Sequence, residues 1–215
     1  MKKTVIQTNC KRMLADVYTP VGVYLRIRDR FRDTVLLEST DNRTAENSYS
    51  FICINAIAGI EIRSTRSMEC KMPGRPPEQM PIHQVSEVPD QLWSFMQRFD
   101  VLAPADKEGR LAQGLFGYTT YDAVQFFETI SFRNSQPPEV PLMRYRLYQY
   151  VIAFNHFKDE LLICENAVAG IDSELALVES LIKSKDVPVF PFRKQGQESS
   201  VIDDATYIGM VEEGI

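Results

Sequence analysis

The stretch Tyr145-Arg146-Leu147-Tyr148-Gln149-Tyr150-Val151-Ile152-Ala153-Phe154, the polar Asn155-His156-Phe157-Lys158-Asp159 and the run Glu160-Leu161-Leu162-Ile163-Cys164 together decide the fold. Aromatic and branched aliphatic residues crowd both flanks, while the centre carries the residue types that turn a chain. This pattern predicts two apolar strands joined as an antiparallel hairpin.

Beyond the hairpin, Ile171, Leu175, Val178 and Ile182 recur at helical spacing, with Asp172 or Ser173 near the cap. Pro188 to Ser200 is polar and linker-like, and Asp203 to Gly214 starts a further helix with Tyr207, Met210 and Val211 on one face. Before the hairpin, Asn134 to Pro141 is a proline-rich loop and Asp122 to Thr129 a short helix. Gly114-Leu115-Phe116-Gly117-Tyr118 reads as a strand whose glycines permit close backbone approach. Val88, Leu92, Phe95, Met96 and Phe99 form an amphipathic helix stripe, with Pro89 near its start and Trp93 beside it. Pro73 to Pro81 is expected to be loop, and Tyr49 to Ser64 two strands. Val35-Leu36-Leu37 is a short apolar run ended by Glu38-Ser39, and Thr19-Pro20 is a helix start. Lys3 to Asp16 reads as an extended edge. Hairpins and separated helices in this order give an α+β class: helices packed outside a largely antiparallel sheet.

The chain has 215 residues, 44% of them hydrophobic and 25% charged, so it can bury a core in one large domain or two small ones. A net charge of -5 without a basic tract argues against nucleic acid as a partner. No apolar run approaches the roughly 18 residues of a membrane helix. Met1-Lys2-Lys3-Thr4 is not followed by the apolar segment of a signal peptide, which makes the cytoplasm the expected compartment. Cys10, Cys53, Cys70 and Cys164 are scattered, as are His83 and His156, so no metal site is expected and the cysteines read as thiols.

No phosphate-binding glycine loop and no nucleophile elbow is present. Asp41, Glu46, Asp122 and Glu128 read as a solvated face, because nothing in their spacing brings two carboxylates to working distance. Phe116, Tyr118, Tyr121, Phe126 and Phe127 lack the interleaved cations of a nucleic-acid platform and read as packing residues. Catalytic residues are therefore expected to be absent.

Three stretches share an order and spacing with one known family. They are Leu36-Leu37-Glu38-Ser39, then Ser48-Tyr49-Ser50-Phe51-Ile52, then Gly114-Leu115-Phe116-Gly117-Tyr118-Thr119-Thr120-Tyr121-Asp122. They resemble the "LLES", "RYSFIG" and "GGxxGYxxYD" elements of the anthranilate synthase component I family. Thr19-Pro20-Val21 ahead of a helix, and Tyr207, Met210 and Val211 in the last one, fit the same pattern. The sequence departs from it at Ser48, Cys53, Ala56 and Ala112-Gln113.

The resemblance implies a sheet of the orthogonal sandwich type and an amino-terminal domain over residues 1–187. Residues 188–215 are then a linker and first helix leading to a chorismate-binding catalytic domain. It implies a complete cytoplasmic lyase that makes anthranilate and pyruvate from chorismate, with magnesium and a glutamine amidotransferase partner. This portion is expected to be inactive alone and free to self-associate. It further implies a feedback site for tryptophan at Leu37, Glu38, Ser39, Tyr49 and Ser50. Aminodeoxychorismate synthase component I, or a non-catalytic tryptophan-binding module, are the alternative expectations.

Overall fold

The structure, a computed structural model, describes residues 3–38, 48–104, 107–130, 132, 139–186, 188, 191–196 and 199–214. In chain order its elements are β1 (Thr4–Leu14), α1 (Pro20–Ile27), β2 (Val35–Leu37), β3 (Tyr49–Ser64), β4 (Ser67–Lys71), β5 (Glu78–Pro81), α2 (Val88–Met96), β6 (Phe99–Val101), β7 (Phe116–Thr119), β8 (Met143–Asn155), β9 (Glu160–Ala167), α3 (Leu175–Lys183) and α4 (Asp204–Glu213). Short 3-10 turns cover Val85–Glu87, Lys107–Ala112 and Tyr121–Phe126.

Among the described residues the nine strands form one hydrogen-bonded sheet in the order β5-β4-β3-β8-β9-β1-β6, with β2 added to β3 and β7 to β8. Every pairing is antiparallel except β1 with β6. The class is therefore α+β on a largely antiparallel sheet.

The hairpin is its centre. β8 and β9 pair from Tyr150↔Glu165 to Asn155↔Glu160. The Asn155 side-chain oxygen accepts from the amides of Phe157 at 3.1 Å and Lys158 at 3.0 Å, and Asp159 takes φ 50, so the polar residues close the turn locally. β8 is buried from Leu147 through Asn155, which is why both parities of that strand are apolar.

On one face, Val23 and Ile27 of α1 and Val178 and Ile182 of α3 pack on Ile52, Ile54, Tyr150, Ile152, Phe154, Leu161 and Ile163. The four-residue spacing within each helix brings its two anchors to one side. α1 starts as its sequence directs: the Thr19 hydroxyl accepts from the Gly22 amide at 3.0 Å and Pro20 occupies the first turn. A second core lies at the other end of β3 and β8, where α2 covers it with Val88 and Phe95 against Ile60, Ile62, Met68 and Met143.

Several elements differ from the sequence expectation. Tyr49–Ser64 is one strand of 16 residues, not two. Its direction changes at a register shift between Ala56 and Ala58, next to Asn55 at φ 60, so a bulge replaces the expected turn. Glu78–Pro81 is strand rather than loop; it lies at the sheet edge, the place where a strand tolerates proline. α2 ends at Met96, and Phe99 belongs to β6, though it still packs on the same core. The α3 cap position is Glu174, one residue after Ser173 and two after Asp172. Cys10 and Cys164, opposite each other in the β1–β9 ladder with Cα atoms 4.1 Å apart, form a disulfide instead of two thiols.

α4 begins at Asp203, whose carboxylate accepts from the Thr206 amide at 2.7 Å. None of its residues is buried; Tyr207, Met210 and Val211 are all exposed. Among the described residues no helix is long and apolar enough to cross a membrane.

Candidate functional site

The two polar segments singled out in the sequence meet where β2, the start of β3 and the β8–β9 turn come together. Leu37 pairs with Phe51, and Tyr49 with Asn155. Strand alternation then sorts the side chains. Leu37, Tyr49 and Phe51 lie on one face, and Ser48 and Ser50 on the other. Glu38 follows β2 directly and is exposed. Ser39, with Asp41 and Glu46, lies outside the described residues.

On the first face an aromatic row runs along the sheet. Tyr49 stacks on Phe51 with ring centres 5.9 Å apart, Phe51 meets Phe116 at 5.5 Å, and Phe116 meets Tyr148 at 6.4 Å. The Tyr49 hydroxyl accepts from the Asn155 amide nitrogen at 3.0 Å. Phe116, Phe51 and Tyr49 are only half-buried, whereas Tyr148 is 5% exposed and burial pushes its phenol far up from its ordinary range.

On the second face, buried Ser50 places its hydroxyl 2.7 Å from His156 Nε2, a bond in which either group can donate. The His156 amide donates to the Ser48 carbonyl at 3.0 Å. The Ser48 hydroxyl is itself buried and has no hydrogen-bond partner among the described residues. A buried hydroxyl without a partner costs stability.

The structure therefore brings Leu37 to Tyr49 and Phe51, and Ser50 to Ser48 and His156, but divides the two sets across the sheet. Ser48 and His156 were not singled out from sequence as site residues. The alternation of Ser48 with Ser50 was visible there; the position of the turn histidine against them depends on the β3–β8 register, which was not.

A second charged centre sits on the middle of the sheet. Buried Glu61 accepts from Arg63 at 2.6 Å, Arg146 at 2.7 Å and Arg144 at 2.8 Å. Burial pushes its carboxyl up, but the three guanidiniums outweigh that and hold it below its ordinary value. Of the two glycines of the third motif, Gly117 has a backbone reason and Gly114 stands in open space. A Cβ on Gly117 would lie 1.8 Å from the Arg144 carbonyl oxygen, so β7 can pair with β8 there only as glycine. In the same motif Tyr121 is 84% exposed; just after it Ala123 and Phe126 are buried and Phe127 is half-exposed.

Among the described residues no group of three His, Cys, Asp or Glu side chains is placed to hold a metal ion. The hydroxyl and imidazole groups near Ser48 to Ser50 suit hydrogen bonding to a small polar ligand. No carboxylate is hydrogen-bonded to His156 among the described residues to complete a nucleophile triad.

No family model matches the chain. It is similar to anthranilate synthase component 1 of Mycobacterium tuberculosis H37Rv, 26% identical over 163 residues, which is 74% of this chain and 30% of that protein. The same-named protein of Lactococcus lactis is 24% identical over 80% of this chain and 35% of its own length. That of Methanothermobacter thermautotrophicus is 26% identical over 90% and 38%. Anthranilate synthase component I from Streptococcus pneumoniae matches in structure over 80% of this chain and 35% of its own, with 20% identity and a TM-score of 0.35. The chain thus spans about a third of the length of the curated relatives it matches. The resemblance carried by the three motifs extends over most of the chain: its sequence is similar to anthranilate synthase component I.

Proposed function

We propose that this chain is the amino-terminal, non-catalytic part of an anthranilate synthase component I, and that it holds a tryptophan feedback site. The observation that carries this reading is the sequence likeness, which runs along 74–90% of this chain yet accounts for only 30–38% of the relatives' lengths. In this reading residues 1–187 are the regulatory domain, and residues 188–215, with the exposed helix α4, lead into the catalytic domain. Chorismate, magnesium and the ammonia-supplying amidotransferase belong to the complete enzyme in the cytoplasm.

The chemistry at the end of β2 and β3 suits an amino-acid ligand. An ammonium needs an acceptor, which exposed Glu38 supplies. A carboxylate needs donors: the Ser39 hydroxyl is of that kind, whereas the Ser48 and Ser50 hydroxyls lie across the sheet from the aromatic row. Leu37 and the Tyr49–Phe51 rings offer an apolar wall for indole.

The test is the chain alone with chorismate, magnesium and ammonium salt, followed by anthranilate fluorescence. No turnover is expected. Turnover at the rate of a complete anthranilate synthase would overturn the proposal.

A further inference from the structure

A cavity of about 320 Å³ lies between the start of β1, the end of α2 and the loop joining β4 to β5, and none of its lining residues belongs to the three motifs. Its floor includes Cys70, a free thiol that is 3% exposed, and Met72, Pro73 and Pro76 add apolar wall. Thr4, Ser94 and Gln97 contribute neutral polar groups.

Charge sets this cavity apart. Three cations, Lys3, Arg75 and Arg98, line it with one carboxylate, Glu78, in a chain whose net charge is -5. Five other cations are matched: Lys11 with Glu179, Arg12 with Glu108 and Glu160, and Arg63, Arg144 and Arg146 with Glu61. Among the described residues neither Lys3, Arg75 nor Arg98 forms an ion pair or a side-chain hydrogen bond, with Glu78 or any other group. The α2 end does not engage them either, because the Trp93 and Phe95 carbonyls take the backbone amides of Gln97 and Arg98 at 3.0 Å. Arg98 also acts on the floor: burial pushes the Cys70 thiol up, and the Arg98 guanidinium pulls it the other way.

The geometry points to a binding site for a small organic dianion, carried as two carboxylates on an apolar body. Two guanidiniums give planar, bidentate recognition of carboxylate, and Lys3 adds a third positive charge at the rim. With Glu78 counted, the lining carries a net charge of two positives, which a dicarboxylate neutralises. The apolar body lies against Met72, the two prolines and Cys70. The volume falls within the range of small-molecule sites, roughly 300–1,000 Å³. This assignment does not depend on the anthranilate synthase reading, since none of these residues lies in the three motifs.

Titration calorimetry on the full chain with phthalate, benzoate and benzyl alcohol, at constant ionic strength, tests it. Phthalate is expected to bind at one site, at least about tenfold more tightly than the neutral alcohol, with benzoate between them. Arg98→Gln and Arg75→Gln should each weaken phthalate by about tenfold, the scale of one charge-assisted hydrogen bond. As a positional check, Cys70 and Cys53 are labelled with N-ethylmaleimide and mapped by peptide mass; phthalate should slow labelling at Cys70 and leave Cys53 unchanged. Absence of phthalate binding, equal affinity for phthalate and benzyl alcohol, or undiminished binding in the folded Arg75→Gln/Arg98→Gln double variant would overturn the site.

Discussion

The two faces of β3, β8 and β9 are built from neighbouring residues of the same strands and end up in opposite conditions. Beneath α1 and α3, Ile52, Ile54, Tyr150, Ile152, Leu161 and Ile163 are fully buried. On the reverse, Cys53, Val151 and Cys164 are buried by the turn at Lys107–Ala112, but the aromatic row leaves Tyr49, Phe51 and Phe116 half-open. One face is closed by the chain's own helices; the other is only partly covered. Apolar content alone therefore does not mark a core. Both faces are apolar in sequence, and what separates them is which helices return to cover them.

The largest effect expected from this contrast is on the closed face. Ile152→Ala should lower unfolding free energy by about 3 kcal/mol, the scale for emptying a packed aliphatic site. Urea denaturation measures it, and a loss under about 1 kcal/mol would mean that the helices do not seat tightly there.

Glu61→Gln is expected to cost about 2 kcal/mol, the scale of hydrogen bonds to a charged group. Arg63 and Arg144 are more exposed than Arg146, so solvent screening keeps the cost at the scale of one such bond and not the sum of three. The folded carboxyl is held below its ordinary value of 4.5, so this contribution is present above that pH. It disappears as pH falls through the lower folded value. Parent and variant should therefore differ at neutral pH and converge in acid. A gap that stays constant into acid would show that the arginines do not stabilise the ionised form.

The smallest stability change belongs to the half-open face. Phe51→Ala should cost about 1–2 kcal/mol, because a half-buried ring loses only part of its burial along with its contacts to Tyr49 and Phe116. A cost equal to that of Ile152→Ala would erase the distinction between the faces.

Much of this architecture was legible because strand and helix periods are local. The hairpin announced itself through a turn of Asn and Asp between two apolar runs, and α1 through Thr19-Pro20. What failed was non-local. Phe99 continues the α2 stripe by spacing, yet pairing with β1 takes it into β6. Tyr49–Ser64 was divided because nothing local shows that Asn55 absorbs a bend that a turn would otherwise make. Cys10 and Cys164 are separated by 154 residues, and only the β1–β9 register places them opposite each other. In the candidate site, Leu37 and Tyr49 sit together as neighbouring strands allow, whereas the approach of His156 to Ser50 is a tertiary outcome.

For the proposed function, the deciding measurement is tryptophan inhibition of an anthranilate synthase component I carrying this chain as its amino-terminal part, compared between the parent and Glu38→Ala. Half-inhibition is expected to need at least about tenfold more tryptophan, as when an ammonium loses a charged acceptor, with chorismate turnover retained. An unchanged inhibition curve in a variant with parental turnover and melting temperature would contradict it.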